Sequence, residues 1–355
     1  MSVSSSSPLV SVVIAAYNAA ADLRTTLSSL RAQTYAHFEA IIVDDGSTDG
    51  TAAIAESFAR ADSRFRLIRQ ANAGVGAARN TAIGHALGTY IAPLDADDIW
   101  DPEKLEKQVA VMEKAGPDVG MVYCWSRRID ANGKFLSYSH PYAVEGRIRR
   151  ALILRNLLSN ASVPLFRRSA ISEVGPYLTR TEQRGGQGCE DWDMNLRVAE
   201  KYVIRCVPEY LVGYRQRPSC MSVNAEMMTK SYEVVIARAR ARSPDLPKTL
   251  FRWSAGAFYF YLTSKSYQWG RYRWTLHAGV RALKADPILL LSPRMRRFTF
   301  GSVFHLLTHG RFRRTPIPPP SPIDLIPVPS EGNTRRARDM IERVELRRWS
   351  LATAA

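Results

Sequence analysis

Short β-branched runs alternating with helical stretches, at a repeat of roughly 25 residues, constrain the fold of this chain more than any other feature. Leu9 to Ala15 (LVSVVIA), Phe38 to Val43, Phe65 to Ile68 and the apolar run at Tyr90-Ile91-Ala92 read as four strands, the first and the last of them buried. Asp22 is placed to cap a first helix with Leu23, Leu27 and Leu30 on one face. Asn72-Ala73-Gly74-Val75-Gly76 precedes another, over Ala77 to Ala86. Strand, helix, strand, helix in this order predicts a parallel sheet covered by helices on both faces. Ligands of such sheets gather beyond the carboxyl ends of the strands. Three of the four loops there are rich in Asp, Asn, Gly or Tyr.

The loop after the fourth strand carries the most chemistry. Thr89 to Trp100 reads TYIAPLDADDIW, with Pro93 breaking the ladder and Asp95, Asp97 and Asp98 immediately beyond it. Carboxylates this close repel one another unless a cation or protons intervene. Hard oxygen ligands suit Mg²⁺ or Mn²⁺, which share their coordination with substrate phosphates. The plainer reading is an acidic loop before the next helix, with Asp101 ahead of Pro102 as its N-cap.

The chain carries 49 Lys and Arg against 33 Asp and Glu, a net charge of +16. Residues 251–355 hold 18 of the basic and 6 of the acidic side chains, so residues 1–250 are nearly balanced. A basic C-terminal third fits an anionic membrane surface or nucleic acid. The acidic loops at the sheet edge argue against nucleic acid, and none is expected as a partner. Cys124, Cys189, Cys206 and Cys220 show neither a paired nor a metal-ligand spacing and read as free thiols of a reducing compartment. The Ser-rich start lacks a signal peptide's pattern, and no run of 18 apolar residues occurs, so a cytoplasmic protein is expected.

VSVVIAAYN, IIVDDGSTDGT, NAGVGAARN and PLDADDIW, in that order, resemble the nucleotide-sugar-binding half of family 2 glycosyltransferases. GCEDWDMNLRVAE and LVGYRQRPSCMS extend the resemblance more weakly, to roughly residues 8–225. It implies the GT-A fold, a Rossmann-like mixed sheet flanked by helices, with a helical extension at the C-terminus. It also implies inverting transfer of a sugar from a nucleotide-sugar donor to a glycan or lipid-linked acceptor, with Mg²⁺ or Mn²⁺ on the diphosphate. Ala15 and Tyr17 then contact the nucleoside, and Asp45 accepts the N3–H of a uracil ring, while Asp44 and Asp49 suit the turn itself. Arg79 faces the diphosphate as a bidentate donor. Asp95 and Asp97 match the DxD motif, with Asp97 the direct metal ligand and Asp95 reaching ribose, metal-bound water or the sugar. Asp191 is the general base that takes the acceptor proton, with Glu190 as its rival. Carboxylates at that helix start are equally explained by the backbone dipole, and Trp192 either stacks on a sugar or anchors the helix.

The chain departs from the family in two places. Arg217 stands where many relatives carry a His serving the metal or diphosphate, which replaces a third protein ligand by a cation for the diphosphate. The QxxRW signature of processive synthases is absent, so addition of one sugar per binding event is expected. A sugar-phosphate nucleotidyltransferase would need a Gly-rich phosphate loop after the first strand, and Ala15-Ala16-Tyr17-Asn18 is unlike one.

Between the acid blocks the sequence predicts a strand at Met121 to Trp125, a hairpin around Ala131-Asn132-Gly133 and a helix over Ile148 to Leu158. It further predicts a strand at Val163 to Phe166 with Arg167-Arg168 in a loop at the acceptor side, and a flexible loop at Gly185-Gly186-Gln187-Gly188. The expected organisation is a tail at 1–8, a catalytic domain at 9–225 (nucleotide-sugar half 9–118, acceptor half 119–225) and a helical extension at 226–312. A Pro-rich linker at 313–330 and a basic C-terminal helix or tail at 331–355 follow. Aromatic and basic helices such as Phe251 to Trp269 and Phe298 to Leu307 either pack on the catalytic domain or lie peripherally on the anionic inner face of the membrane.

Overall fold

Val10, Val12, Val13 and Ile14 are fully buried because β1 (Val10–Ala16) lies between two parallel neighbours with helices over both faces. In this computed structural model the chain is described over residues 7–218, 220–308, 344 and 347–351. Most of the expected N-terminal tail, the Pro-rich linker and most of the segment 331–355 lie outside the described residues.

β1 leads through α1 (Leu23–Arg31) to β2 (Phe38–Asp44), through α2 (Thr51–Ala61) to β3 (Phe65–Arg69) and through α3 (Val75–Gly84) to β4 (Tyr90–Pro93). Val12 of β1 sits opposite Ala40 of β2 and Ala92 of β4, and β3 pairs outside β2. Pairing between β1 and β4 stops at Pro93, which has no N–H to donate. There follow β5 (Ile99–Trp100), α4 (Lys104–Lys114), β6 (Val119–Ile129) and β7 (Phe135–Tyr138). Then come α5 (Arg149–Leu154), β8 (Leu165–Arg167), α6 (Arg168–Val174), α7 (Glu190–Lys201) and β9 (Val203–Arg215). Among the described residues, nine strands form one sheet in the order β3-β2-β1-β4-β8-β6-β9-β5, with β7 paired to β6. β8 runs antiparallel to both β4 and β6, so the sheet is mixed, as the GT-A expectation requires.

Four helices follow: α8 (Ala225–Arg242), α9 (Lys248–Gln268), α10 (Tyr272–Ala285) and α11 (Pro293–Leu307). They fold back onto the sheet region and share its core. Tyr232 of α8 stacks on Phe258 of α9 at 3.8 Å, and Trp192 of α7 packs beside them at 5.6 and 6.4 Å. Among the described residues no helix is long and apolar enough to cross a membrane.

Several local expectations change. The helix expected over 148–158 stops at Leu154, and the chain turns through Ser159, at φ 63°, to feed β8. Arg167 and Arg168 form no acceptor-side loop: Arg168 opens α6, and their guanidinium groups bond the carbonyls of Val119 and Ala86. Asp22 occupies the N-cap position of α1 without capping it; its carboxylate turns to Arg215 and Arg217 instead. Asp101 accepts the Glu103 N–H, but α4 begins only at Lys104. The glycine loop at 185–188 is held against α8, where a Cβ on Gly188 would meet the Met228 sulfur at 2.2 Å.

Candidate active site

The loops leaving β1, β2 and β4, the start of α7, the end of β9 and the inner faces of α8 and α9 enclose a cavity of about 870 Å³. On the β1 side it is lined by Ala15 and by Tyr17, whose ring is 53% exposed. Asp45, just after β2, is buried. Its Oδ1 accepts from Gln70 Nε2 at 2.7 Å and the Ala73 N–H at 2.8 Å, and its Oδ2 accepts the Gly74 N–H at 2.8 Å. A carboxylate offers about four acceptor sites, so one remains toward the cavity. The same bonds fix the entry to α3. Gly74 needs its positive φ of 91°, and Gly76 approaches Leu178 so closely that a Cβ would lie 2.1 Å from its carbonyl oxygen. Asp44 and Asp49 form the turn, accepting the N–H groups of Ser47 and Thr51.

At the end of β4 the three aspartates have separate fates. Asp98 is fully buried and structural: it accepts the Ser162 hydroxyl at 2.6 Å and the Arg215 N–H at 3.0 Å. Ser162 Oγ in turn accepts the Asp95 N–H at 3.0 Å. Arg215, buried at the end of β9, donates Nε to the Asp97 carbonyl at 2.7 Å and Nη1 to the Ala131 carbonyl at 2.7 Å. This ties the acid loop to the β6–β7 hairpin. Asp95 and Asp97 keep their carboxylates at the cavity. Burial, followed by the charge of Asp95, pushes the Asp97 carboxyl up to about 6.

Carboxylates forced together in this way are a pair that a divalent cation would relieve. Among the described residues no group of three or more His, Cys, Asp or Glu side chains converges on one point. An ion bound there would have Asp95 and Asp97 as its protein oxygen donors, and so few protein ligands is the coordination habit of Mg²⁺. The donor set fits such an ion.

Arg79 joins this loop to the second acid block. It is buried on α3, donating Nη2 to Asp95 Oδ1 at 2.6 Å and Nη1 to Glu190 Oε1 at 3.0 Å, with the Tyr177 ring 5.4 Å away. Asp95 and Glu190, which lie 16 and 111 positions beyond Arg79 in the chain, are thereby fixed to one guanidinium. Glu190 also accepts the Gly188 N–H at 2.8 Å, so it is committed on both oxygens. Asp191 is less engaged: Oδ1 accepts the Trp192 N–H at 2.7 Å and the carboxyl lines the cavity. Burial, then the neighbouring Glu190, lifts it to about 7 against the opposing pull of Arg79. A carboxyl titrating near neutrality at a cavity wall can exchange a proton with a hydroxyl. Trp192 anchors the helix, donating Nε1 to the Leu152 carbonyl at 2.7 Å.

Arg217 lines the cavity with its guanidinium paired to Asp22. Three contributors were not legible beforehand. Arg215 lies in the LVGYRQRPSCMS block of the resemblance but has no role assigned there. Lys265 of α9, buried at the wall, donates to Gln216 Oε1 at 2.7 Å. Arg348, in the C-terminal basic stretch, is buried: it bonds both oxygens of Asp286, at 2.5 and 2.9 Å, and lies 4.7 Å over Trp253. Trp349 beside it packs 5.3 Å from Tyr142. The extension thus builds the wall of the cavity and does not merely sit behind the sheet.

With this geometry in view, the family model described as Glycosyl transferase family 2 matches residues 11–175. The uncharacterized glycosyltransferase MJ1057 of Methanocaldococcus jannaschii is 33% identical over 213 residues, 59% of this chain and 71% of its own. TuaG of Bacillus subtilis, named as a teichuronic acid biosynthesis glycosyltransferase, is 44% identical over 106 residues, 30% of this chain and 42% of its own. Other curated relatives are spanned over only 36% and 20% of their length. Among solved structures, the mannosyltransferase PcManGT of Pyrobaculum calidifontis, in complex with GDP-Man and Mn²⁺, superposes with a TM-score of 0.54 at 19% identity. That likeness covers 87% of this chain and 88% of that one.

Proposed function

The chain belongs to glycosyl transferase family 2 and is a glycosyltransferase, and from that premise we propose that it moves a sugar from a nucleotide-sugar, a UDP-sugar or a close relative of one, to a hydroxyl of a glycan or lipid-linked acceptor, inverting the anomeric centre. One observation carries this reading. Asp95, Asp97, Glu190 and Asp191 line a single cavity, with Arg79 bridging the two acid blocks.

In the reaction, the nucleoside lies along Ala15 and Tyr17 with its base at Asp45. Asp191 removes the proton from the acceptor hydroxyl as the oxygen attacks the anomeric carbon from the face opposite the diphosphate. Its carboxyl, held near neutrality, is suited to take that proton and give it up again to water. Glu190, clamped by Arg79 and the Gly188 N–H, is a poorer base and keeps the helix start in place. Arg217 adds positive charge beside the departing group, while Arg79 holds Asp95 and Glu190 in place. When bound at Asp97 and Asp95, Mg²⁺ or Mn²⁺ supplies Lewis-acid stabilisation of the leaving diphosphate. The GDP-Man and Mn²⁺ of the PcManGT complex support a donor and a metal of this kind.

The name of TuaG supports a surface polysaccharide as the acceptor's destination. A cytoplasmic site at the inner membrane face suits it. Phe300 of α11 is 70% exposed and Leu290 57%, with Arg296 and Arg297 beside Phe300 in sequence, a mixture suited to an anionic bilayer. Flotation with anionic but not neutral vesicles, reversed by salt, is the expected result.

The main test is Asp191→Asn. Turnover should fall by about 10²–10⁴-fold while nucleoside diphosphate binding persists, and near-normal turnover rejects the base assignment. Release of a nucleoside diphosphate rather than pyrophosphate separates this reading from nucleotidyl transfer.

A further inference from the structure

Lys265 is buried in the cavity wall formed by α9, among Thr263, Ser264 and Ser266. Its one hydrogen-bond partner among the described residues is the neutral side-chain oxygen of Gln216, and none of the ion pairs there involves it. An ammonium removed from water without a counter-charge is costly. Burial, with Arg128 adding to it, pushes Lys265 down to about 8. Gln216, Arg217 and Lys265 all line the same cavity, and Tyr261 and Phe258 give that wall an aromatic face. The missing partner of the Lys265 ammonium is an anion, and the cavity is where it would enter.

We infer that Lys265 forms a subsite for a phosphate-class oxyanion carried by the acceptor. This rests on the glycosyltransferase reading above and assigns its acceptor a charge. Two sources share that chemistry, the donor's diphosphate and a phosphate on the acceptor. The acceptor is favoured because Lys265 comes from the helical extension, whereas the proposed donor contacts come from the loops after β1, β2 and β4 and, in Arg217, from the segment after β9.

The test uses the full chain saturated with UDP or GDP and Mn²⁺, titrated with inorganic phosphate by calorimetry. Phosphate should bind the loaded wild type and bind Lys265→Met at least tenfold more weakly, with nucleotide affinity within about twofold of wild type. Unchanged phosphate binding overturns the inference. So does a variant that loses nucleotide affinity instead, which would return Lys265 to the donor. Should Lys265→Met fail to fold, tungstate soaked into wild-type crystals decides: an anomalous peak beside Lys265 Nζ is expected, and its absence at saturating tungstate overturns the subsite. Failure of every nucleoside diphosphate to bind wild type would sink the donor reading alone, since the tungstate result does not depend on it.

Discussion

Asp191→Asn should stabilise the protein while disabling it. In the native state burial and the adjacent Glu190 lift the Asp191 carboxyl from 3.8 to about 7. The native state therefore binds the proton more tightly than the unfolded chain does. That contribution to stability is fully present below the unfolded value of 3.8 and is lost as pH rises through about 7. Above pH 7, keeping the ionised carboxylate buried costs up to about 4 kcal/mol. The side chain is partly open to the cavity, so about 2 kcal/mol is the working figure. Asparagine removes the charge and keeps a carbonyl oxygen for the Trp192 N–H, the one hydrogen bond Oδ1 accepts. At about 2.1 cal/mol/K of unfolding entropy per residue, a chain of 355 residues shifts by roughly 1.3 °C per kcal/mol, so Tm at pH 8 should rise by about 3 °C. Thermal unfolding with EDTA and without nucleotide measures it, and the gain should shrink toward zero as pH approaches 4. A variant no more stable than wild type at pH 8, or one whose gain is independent of pH, would refute the reasoning.

Asp97→Ala should abolish metal-dependent transfer, a loss of at least about 100-fold in kcat/KM, with the Mn²⁺-induced thermal shift lost alongside it. The acid limb of kcat/KM should fall tenfold per pH unit below about 7, where Asp191 becomes protonated; a profile flat between pH 5 and 8 would assign the base elsewhere. Arg79→Met should destabilise the fold by about 3–5 kcal/mol, because it strands two carboxylates around an empty guanidinium site. Denaturant unfolding reads that loss directly.

The sheet was legible because its order is written locally. The runs of β1, β2 and β4 are buried almost throughout, and each loop beyond a strand end shows its Asp, Asn or Gly in plain sequence. The carboxylates were found the same way. What sequence hid were contacts between distant segments. Asp22 looks like a helix cap until Arg215 and Arg217 arrive from β9 to claim it. Arg79 reads as a surface or ligand-facing arginine until Glu190 is folded against it. Asp98 differs from Asp97 only in Ser162 and the Arg215 N–H, which arrive from 64 and 117 residues away. Lys265 sits in an aromatic helix whose apolar pattern announces packing and gives no hint that a cation faces a cavity.

The shared guanidinium of Arg79 has a consequence for how such a chain can diversify. Because one side chain tethers both acidic centres, a drift in the geometry of either is transmitted to the other, and the chemical machinery must be inherited as a block. The wall contributed by α9 carries no such tether. New specificities can therefore accumulate in the late helices while the reacting end stays as it is.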